Sequence, residues 1–429
     1  MSAASSDSWY AFSAPAAPDR APLRGTVDTD VCVVGGGIAG CSTALHLAES
    51  GRRVVLLEAR AIGHGASGRS GAQAISGVAC GHAKIESLLG ASAARQVWDV
   101  TVEGLRLQRE LIARHAIDCD YVAGQMHVAI KPRQVDELRA ELELQHRLAH
   151  TSIRMVEQDE LRTLIDSTRY LAGTYDSEGG HLHPLKYTRG LALAAERAGA
   201  TIFENSPALR YRRESGHLVV RTAQGEVRCN ALALCGNAWL NEFGPTLAPQ
   251  LARKIIGVGT YIVATAPLGA ERATALIRNN AAVTDINWVI DYFRRSSDHR
   301  LLFGGRVSYS GLDPLGTARA TRVRMLRVYP QLADVPIEHA WGGWVDITLN
   351  RAPHFARLEP DVYVLQGFSG HGIALTGVAG RLLAQAICGT SERFDVFARI
   401  PHRDFPGGPW LRRPALVLAM LWYRLRDLL

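Results

Sequence analysis

Four short apolar runs and the segment between the first two predict an α/β protein. Residues 30–34 and 54–58 are almost uniformly apolar and enclose a stretch of small residues at 38–49. Runs of this length without polar alternation are typical of parallel strands buried on both faces, so these three segments predict a β-α-β unit. Residues 231–234 and 362–366 are apolar runs of the same kind.

Strand-like patterns of another kind occupy the middle of the chain. Residues 255–265, 288–294 and 301–304 predict strands of an antiparallel sheet. Residues 95–150 predict helix, interrupted by a strand pair near 120–130. Antiparallel material is therefore inserted between segments of a parallel sheet, which predicts domains that are discontinuous in sequence.

Composition narrows the classes of function. The chain has 429 residues, 47% hydrophobic and 21% charged, which is ordinary for a globular protein of about two domains. Apart from a C-terminal cluster, arginines are spread along the chain, so the net charge of +7 forms no basic stripe and no nucleic-acid partner is expected. The seven cysteines include no C-x-x-C pair and the histidines no H-E-x-x-H, so no metal site is predicted.

The chain ends suggest a cytoplasmic protein. The N-terminus lacks a basic segment followed by an apolar one, and no run reaches the roughly 18 apolar residues needed to cross a bilayer. Residues 414–423 are apolar and flanked by arginines. This pattern fits a helix docked on the protein itself or on a second subunit, and it also fits peripheral association with a membrane surface.

A glycine pattern lies directly between the first predicted strand and its helix. Gly35, Gly37 and Gly40 form G-x-G-x-x-G. The first glycine permits a tight turn, the second a close approach of pyrophosphate, and the third close packing of helix on strand. Ile38 and Ala39 begin the helix, whose free N–H groups attract phosphate. The sequence therefore predicts a dinucleotide cofactor.

The next segment distinguishes FAD from NAD. Glu58 ends the second strand, where an acid accepts hydrogen bonds from ribose hydroxyls in either cofactor. Residues 63–73 read G-H-G-A-S-G-R-S-G-A-Q, which is too long and rich in glycine for a plain connection. This segment resembles the second flavin-contacting loop of the D-amino-acid-oxidase-like superfamily, so the resemblance implies FAD.

The resemblance extends over nearly the whole chain. Residues 178–184 resemble the superfamily's entry into its third FAD strand, residues 234–239 its A-x-G-A-W segment, and residues 366–377 its C-terminal motif. Residues 341–354, W-G-G-W-V-D-I-T-L-N-R-A-P-H, resemble the gamma-glutamylputrescine oxidoreductase-like branch. The implied fold is a Rossmann-like FAD-binding domain with an inserted antiparallel-sheet (α+β) substrate domain.

The expected domains follow these segments. We predict an irregular N-terminal arm at 1–29, where prolines discourage helix. The other expected parts are an FAD-binding domain at 30–94, 151–238 and 340–400, a substrate domain at 95–150 and 239–339, and a C-terminal tail with the short apolar helix at 401–429. The predicted FAD contacts are Gly35, Gly37, Ile38, Ala39, Gly40, Glu58, Ala59, Arg60, Gly65, Ala66, Ser67, Gly68, Arg69, Ser70, Gly71, Gln73, Ala208, Cys235, Gly236, Trp239, Gly343, Gly367, Phe368, Ser369, Gly370, His371, Gly372, Ile373 and Thr376.

Three departures from sarcosine-oxidase-like relatives restrict the substrate and the linkage of the cofactor. Those relatives hold the substrate carboxylate with a lysine where this chain has Ala374, and activate oxygen with a lysine in the strand containing Leu301 and Leu302. They tether flavin through a cysteine at a position that aligns with Gly343. We therefore expect non-covalent FAD and a substrate other than a simple α-amino acid.

Five side chains are candidates for substrate chemistry. Trp341, Trp344 and Tyr292 would form an aromatic cage for an amine, or serve only as core residues. His371 would stabilise the flavin anion or move a proton, or bond only to backbone. Asp346 would steer an ammonium group, or be an ordinary turn acid.

The resemblance implies hydride transfer from a carbon beside an amine to flavin N5, followed by hydrolysis of the imine to an aldehyde. The expected substrate is gamma-glutamylputrescine or a similar amine, with oxygen or a quinone or other carrier as electron acceptor. Two alternatives stay open: a flavoenzyme acting on a non-amine such as a 2-hydroxy acid, and a flavin-containing subunit that is mainly structural.

Overall fold

A computed structural model describes residues 8–308 and 316–406, apart from the side chains of residues 241 and 306–308. The strands of these residues are, in chain order, β1 (Gly25–Asp28), β2 (Val31–Val34), β3 (Val54–Leu57), β4 (Gln73–Ala74), β5 (Val122–Ala129), β6 (Ile153–Val156), β7 (Ala172–His181), β8 (Thr201–Phe203), β9 (Arg210–Glu214), β10 (His217–Arg221), β11 (Gly225–Cys229), β12 (Ala231–Leu234), β13 (Ile255–Thr265), β14 (Ala282–Asp285), β15 (Tyr292–Arg295), β16 (Leu301–Ser308), β17 (Ile337–Thr348), β18 (His354–Glu359) and β19 (Val362–Gln366). The α-helices are α1 (Trp9–Ser13), α2 (Ile38–Glu49), α3 (His82–Leu89), α4 (Ala91–Arg114), α5 (Pro132–Arg147), α6 (Gln158–Leu164), α7 (Pro184–Arg197), α8 (Leu240–Phe243), α9 (Ala270–Leu276), α10 (Thr317–Val328), α11 (Gly372–Ile387) and α12 (Glu392–Ala398).

The uniformly apolar runs form a parallel sheet, as predicted. Its strand order is β18-β19-β12-β2-β3-β8, and only the edge strand β18 runs antiparallel to its neighbour. Helices α2, α7 and α11 pack on one face of this sheet, while the small sheet β1-β11-β10-β9 packs on the other. Burial on both faces explains why these strands carry no polar alternation. The predicted Rossmann-like fold is confirmed.

The second large sheet has the order β17-β13-β16-β15-β14-β5-β7-β4, with β6 beside β7. Its strand pairs are antiparallel except for β14 and β5, which run parallel. The predicted antiparallel sheet is therefore a mixed one. The face of this sheet that points away from the parallel sheet packs against α10 around Phe293, Phe303 and Met325. This cluster anchors the strands of the mixed sheet.

Several elements differ from the expectations. The segment near 120–130 holds a single strand, β5, rather than a strand pair. The N-terminal arm, expected to be irregular, contains α1 with Trp9 and Tyr10 fully buried. Strands β4, β6 and β7 and most of β17 join the mixed sheet, although the predicted boundaries assign these residues to the FAD-binding domain.

The predicted apolar helix at 414–423 lies outside the described residues. Within the part of the chain that the structure describes, no single helix has the length and hydropathy to cross a membrane. Helices α11 and α12 reach that threshold only when taken together, across a bend of 117°.

Candidate active site

A cavity of about 1640 Å³ lies between the two large sheets. One wall comes from the carboxyl ends of β2, β3, β12 and β19, and the other from β13, β14, β15 and β17. The carboxyl ends of parallel strands are the edge where open α/β sheets bind their ligands. The cavity is therefore the candidate active site.

The glycine turn closes one end of this cavity, and its geometry requires glycine. Gly35 has φ of 110°, and a Cβ on Gly40 would lie 1.9 Å from the carbonyl oxygen of Gly35. A Cβ on Gly37 would lie 2.8 Å from Ser67 Oγ, which accepts the N–H of Ile38 at 3.0 Å. The glycine turn and the second loop (residues 63–73) are thus tied together at the N-terminus of α2, where backbone N–H groups face the cavity.

Glu58 joins the end of β3 to the glycine turn. Its carboxylate accepts the backbone N–H of Gly36 at 2.6 Å and that of Arg60 at 2.8 Å. Burial raises the pKa of Glu58, and these hydrogen bonds act in the opposite direction. The carboxylate lines the cavity beside the turn.

The second loop is held from behind by three side chains that bind three consecutive carbonyls, those of residues 69–71. Trp341 donates its indole N–H to the first at 3.0 Å, Tyr10 its hydroxyl to the second at 2.9 Å, and Arg294 its Nε–H to the third at 3.3 Å. Arg294 also donates to the Tyr10 hydroxyl at 3.0 Å. The carbonyls are therefore turned into the protein, away from the cavity.

Replacing Tyr10 by Phe tests this clamp. The variant leaves one carbonyl of the loop and one arginine N–H without their partner, and such a loss costs about 1 kcal/mol or somewhat more. We expect FAD to dissociate about 5-fold more readily, measured by titration of the apoprotein. Phe12→Ala is the matched control on the same helix, because Phe12 is 68% exposed; an equal effect in both variants would contradict the clamp.

Tyr292 forms part of the inner wall, and two glycines make room for its ring. A Cβ on Gly304 would lie 2.2 Å from the ring, and one on Gly71 would lie 2.6 Å from it. Burial raises the pKa of Tyr292, so its hydroxyl stays protonated. The ring lies directly against the second loop.

The C-terminal motif forms a turn that leads into α11 on the opposite side. Gly367 has φ of 73° and donates its N–H to the side chain of Asn237 at 3.0 Å, while Ser369 donates its N–H to the backbone carbonyl of Asp346 at 2.9 Å. His371 lies at the start of α11, and burial, together with the charge of Arg351, lowers its pKa to about 3. His371 is therefore neutral at physiological pH.

Two acids in the cavity wall have raised pKa values. Burial raises the pKa of Asp346 to about 8. Burial and the neighbouring Asp291 raise the pKa of Asp285 to about 7. Asp285 has hydrogen bonds from the backbone and side chain of Asn287, whereas neither carboxylate oxygen of Asp346 has a partner among the described residues.

Comparison with known proteins agrees with this geometry. A family model described as FAD dependent oxidoreductase matches residues 30–386. The chain belongs to this family. It is 40% identical over 420 residues to gamma-glutamylputrescine oxidoreductase of Escherichia coli (strain K12), and the match covers 98% of both chains. It is 37% identical over 407 residues to the probable oxidoreductase OrdL of Haemophilus influenzae, covering 95% of this chain and 94% of the other.

Solved structures show the same fold for this FAD-dependent oxidoreductase. L-proline dehydrogenase from P. horikoshii matches with a TM-score of 0.70 at 20% identity, covering 85% of this chain and 94% of the other. Glycine oxidase from Bacillus cereus ATCC 14579 also matches with a TM-score of 0.70 at 20% identity, covering 87% and 99%.

The residues of the cavity fit FAD. Gly35, Gly36 and Gly37 line the cavity at the N-terminus of α2, and Glu58 lines it beside them, where a carboxylate accepts from ribose hydroxyls. The indole N–H of Trp239 is buried, lines the cavity and has no partner among the described residues. A long, polar dinucleotide supplies acceptors for such donors.

Most of the predicted site residues line the cavity, including Tyr292, Asp346 and His371. Those that do not are Gly40, Arg60, Gly68, Arg69, Trp341, Gly343 and Gly367. Gly40 and Gly68 serve close backbone packing instead, with a Cβ on Gly68 only 2.2 Å from the carbonyl oxygen of Gly63.

The remaining residues of that group lie just behind the wall. Arg60 lies over the ring of Phe243 at 5.1 Å, and a Cβ on Gly343 would lie 3.3 Å from Arg69 Cβ. Trp341 packs with the buried Tyr10 and Leu302 behind the second loop. The prediction of an aromatic cage is therefore wrong for Trp341. Tyr292 and Trp344 line the cavity as expected.

Other lining residues were missed from the sequence. They are polar or aromatic side chains, among them His64, His127, Asn237, Asp285, Trp288 and Arg351. His64 and Asn237 stand inside the quoted segments 63–73 and 234–239, and Arg351 inside 341–354, so these three had a usable signal. His127, Asp285 and Trp288 lie outside the quoted segments and reach the cavity only through the pairing of distant strands.

Proposed function

We propose that this FAD-dependent oxidoreductase oxidises an amine whose reacting carbon carries no carboxylate, with gamma-glutamylputrescine or a similar mono-substituted polyamine as substrate. The observation that carries this proposal is the position of Ala374. This residue is buried at the start of α11, packs against Gly104 of α4, and does not line the cavity. A carboxylate-binding cation at this position, expected in sarcosine-oxidase-like relatives, is therefore missing.

The size of the cavity and the name of one relative support an extended substrate. Trp288 and Leu349, both substantially exposed, belong to the lining, so an apolar rim continues outward from the flavin end. A polyamine derivative has methylene groups that suit such a rim. The Escherichia coli relative is named for gamma-glutamylputrescine.

The protein's own residues would orient the substrate and exclude water. FAD, when bound here, supplies the two-electron acceptor that takes the hydride from the carbon beside the amine. Tyr292 and Trp344 form apolar walls that favour the neutral amine over its ammonium form. The neutral His371 at the start of α11 is available as a hydrogen-bond donor beside the cofactor's predicted position.

Anaerobic mixing with a panel of substrates tests this proposal. N-(γ-glutamyl)putrescine should bleach the flavin absorbance, while sarcosine, glycine and a 2-hydroxy acid should leave it unchanged. Fast bleaching by sarcosine or by the hydroxy acid, with none by polyamine derivatives, would overturn the proposal.

We further propose that the cofactor is bound without a covalent link, because Gly343 offers no side chain for one and lies behind the cavity wall. Acid precipitation of the yellow protein should release all of the flavin into the supernatant. Flavin that stays with the pellet would show a covalent attachment elsewhere.

Two other buried positions bear on the identity of the electron acceptor. Leu301 and Leu302 are core residues, so the oxygen-activating lysine of sarcosine-oxidase-like relatives has no counterpart in β16. We expect the reduced enzyme to reoxidise more slowly in air-saturated buffer than with an equal concentration of a soluble quinone. Stopped-flow recovery of the flavin absorbance measures both rates, and faster recovery in air would contradict the expectation.

A further inference from the structure

Asp346 is a buried acid that the fold leaves without a partner. Its side chain is 1% exposed, and neither oxygen has a hydrogen-bond partner among the described residues. A buried carboxyl group without hydrogen bonds costs stability, so a protein keeps one where its function requires it. Elsewhere in the chain, Asp176 is also buried but has hydrogen bonds from His150, Ser152 and the backbone of Glu178.

The position of Asp346 places it beside the expected reaction centre. Its backbone carbonyl accepts the N–H of Ser369 in the C-terminal turn, which links β17 to the start of α11. Opposite Asp346 in β13 stands Gly257, and the indole of Trp344 lies over that glycine. Asp346 and Trp344 both line the cavity.

The groups around Asp346 do not neutralise it. Gly257 contributes no side chain from β13, and the C-terminal turn contributes His371, which is neutral. Arg351, in the turn after β17, lines the same cavity, but burial alone accounts for the raised pKa of Asp346. The described residues therefore supply no ion pair for this carboxyl group.

We propose that Asp346 binds the reacting amine of the substrate and takes the proton of its ammonium form. This inference rests on the function proposed above. The step uses the ionised carboxylate, which is present from about pH 8 upward. An N–H bond of the ammonium group then breaks, an O–H bond forms on the carboxylate, and a neutral amine and a neutral acid remain. Burial favours this neutral pair over the ion pair, since charges are costly to remove from water. The freed lone pair on nitrogen then assists loss of hydride from the adjacent carbon.

The raised pKa of Asp346 gives the inference a signature in stability. The folded protein holds this proton up to about pH 8, whereas the unfolded chain releases it near pH 4. The folded state thus binds more protons between these values, and stability falls as pH rises through this window and is constant above it. An uncharged residue of the same shape removes this loss.

The test compares Asp346→Asn with wild type as FAD-loaded protein. With N-(γ-glutamyl)putrescine under anaerobic conditions, flavin reduction at pH 8 should slow on the order of 100-fold, as for loss of a positioned acid–base group. The inflection near pH 8 in the wild-type profile should disappear. The melting temperature at pH 8 should rise by about 2 °C or more, and the difference from wild type should vanish near pH 4.

Asp176→Asn is the matched control. The wild-type Asp176 carboxylate has its hydrogen-bond partners within the fold, so the variant should melt at a lower temperature. Its flavin should still be reduced at the wild-type rate. If Asp346→Asn behaves in the same way, or loses FAD, Asp346 serves the fold or the cofactor and the inference is overturned. If wild-type flavin is bleached by no amine at all, the proposed function fails first, and the two failures are thereby distinguished.

Discussion

Gly40→Ala is expected to yield a folded but colourless protein. A Cβ at this position would lie 1.9 Å from the carbonyl oxygen of Gly35, a distance at which backbone must move. Helix α2 would shift away from β2, and its N-terminal N–H groups would leave the predicted phosphate position. Overpacking of this kind costs about 3 kcal/mol, so FAD affinity should fall about 100-fold or more.

The ratio of flavin absorbance to protein absorbance in the purified variant measures this effect, and far-UV circular dichroism reports whether the fold is kept. Gly377→Ala in α11 is the matched control. There the nearest atom to an added Cβ is the Tyr187 hydroxyl at 3.8 Å, and alanine favours helix. Gly377→Ala should keep its colour. A yellow Gly40→Ala protein would contradict the assignment of the phosphate site to α2.

Glu58→Ala is expected to weaken FAD binding by about 10- to 150-fold. The carboxylate accepts the N–H groups of Gly36 and Arg60, and it is placed to accept from a ribose. Loss of a charged acceptor costs about 1.5–3 kcal/mol, which corresponds to that range of dissociation constants. Titration of apoprotein with FAD, followed by quenching of flavin fluorescence, provides the measurement.

The variant Glu58→Gln separates charge from shape. It keeps an oxygen acceptor but loses the charge, so its affinity should lie between those of wild type and Glu58→Ala. Burial raises the pKa of Glu58, so wild-type affinity should decline as pH falls toward that raised value, while the glutamine variant stays flat. Equal affinity in all three proteins would mean that Glu58 only orders the turn.

The parallel sheet and the nucleotide end of the cavity were predictable because their signals are local. Strands buried on both faces must be apolar throughout, and the spacing of Gly35, Gly37 and Gly40 reflects contacts within a few residues. Glu58 follows directly on its strand. Such features are written into short stretches of sequence.

The back of the second loop was not predictable in this way. Tyr10 and Arg294 reach carbonyls 60 and 223 residues away along the chain, so no local pattern identifies them. The prolines of residues 1–29 predict an irregular arm, yet α1 forms between Ser8 and Ala14 and is held by burial of two of its three aromatic rings. Tertiary packing overrode the local preference.

The aromatic candidates show the same limit. Trp341 and Trp344 stand three residues apart in one strand, and alternation places them on opposite faces. Sequence alone does not indicate which face meets the cavity. The pairing of β17 with β13 decides it, and directs Trp344 inward and Trp341 to the core.

We propose that this cavity holds FAD and an amine together, so that the amine is oxidised by the flavin. An anaerobic single turnover with N-(γ-glutamyl)putrescine tests it most directly, by quantifying reduced flavin and released aldehyde in the same sample. We expect one aldehyde for each flavin reduced. Full reduction without aldehyde, or no reduction by this or any related amine, would contradict it.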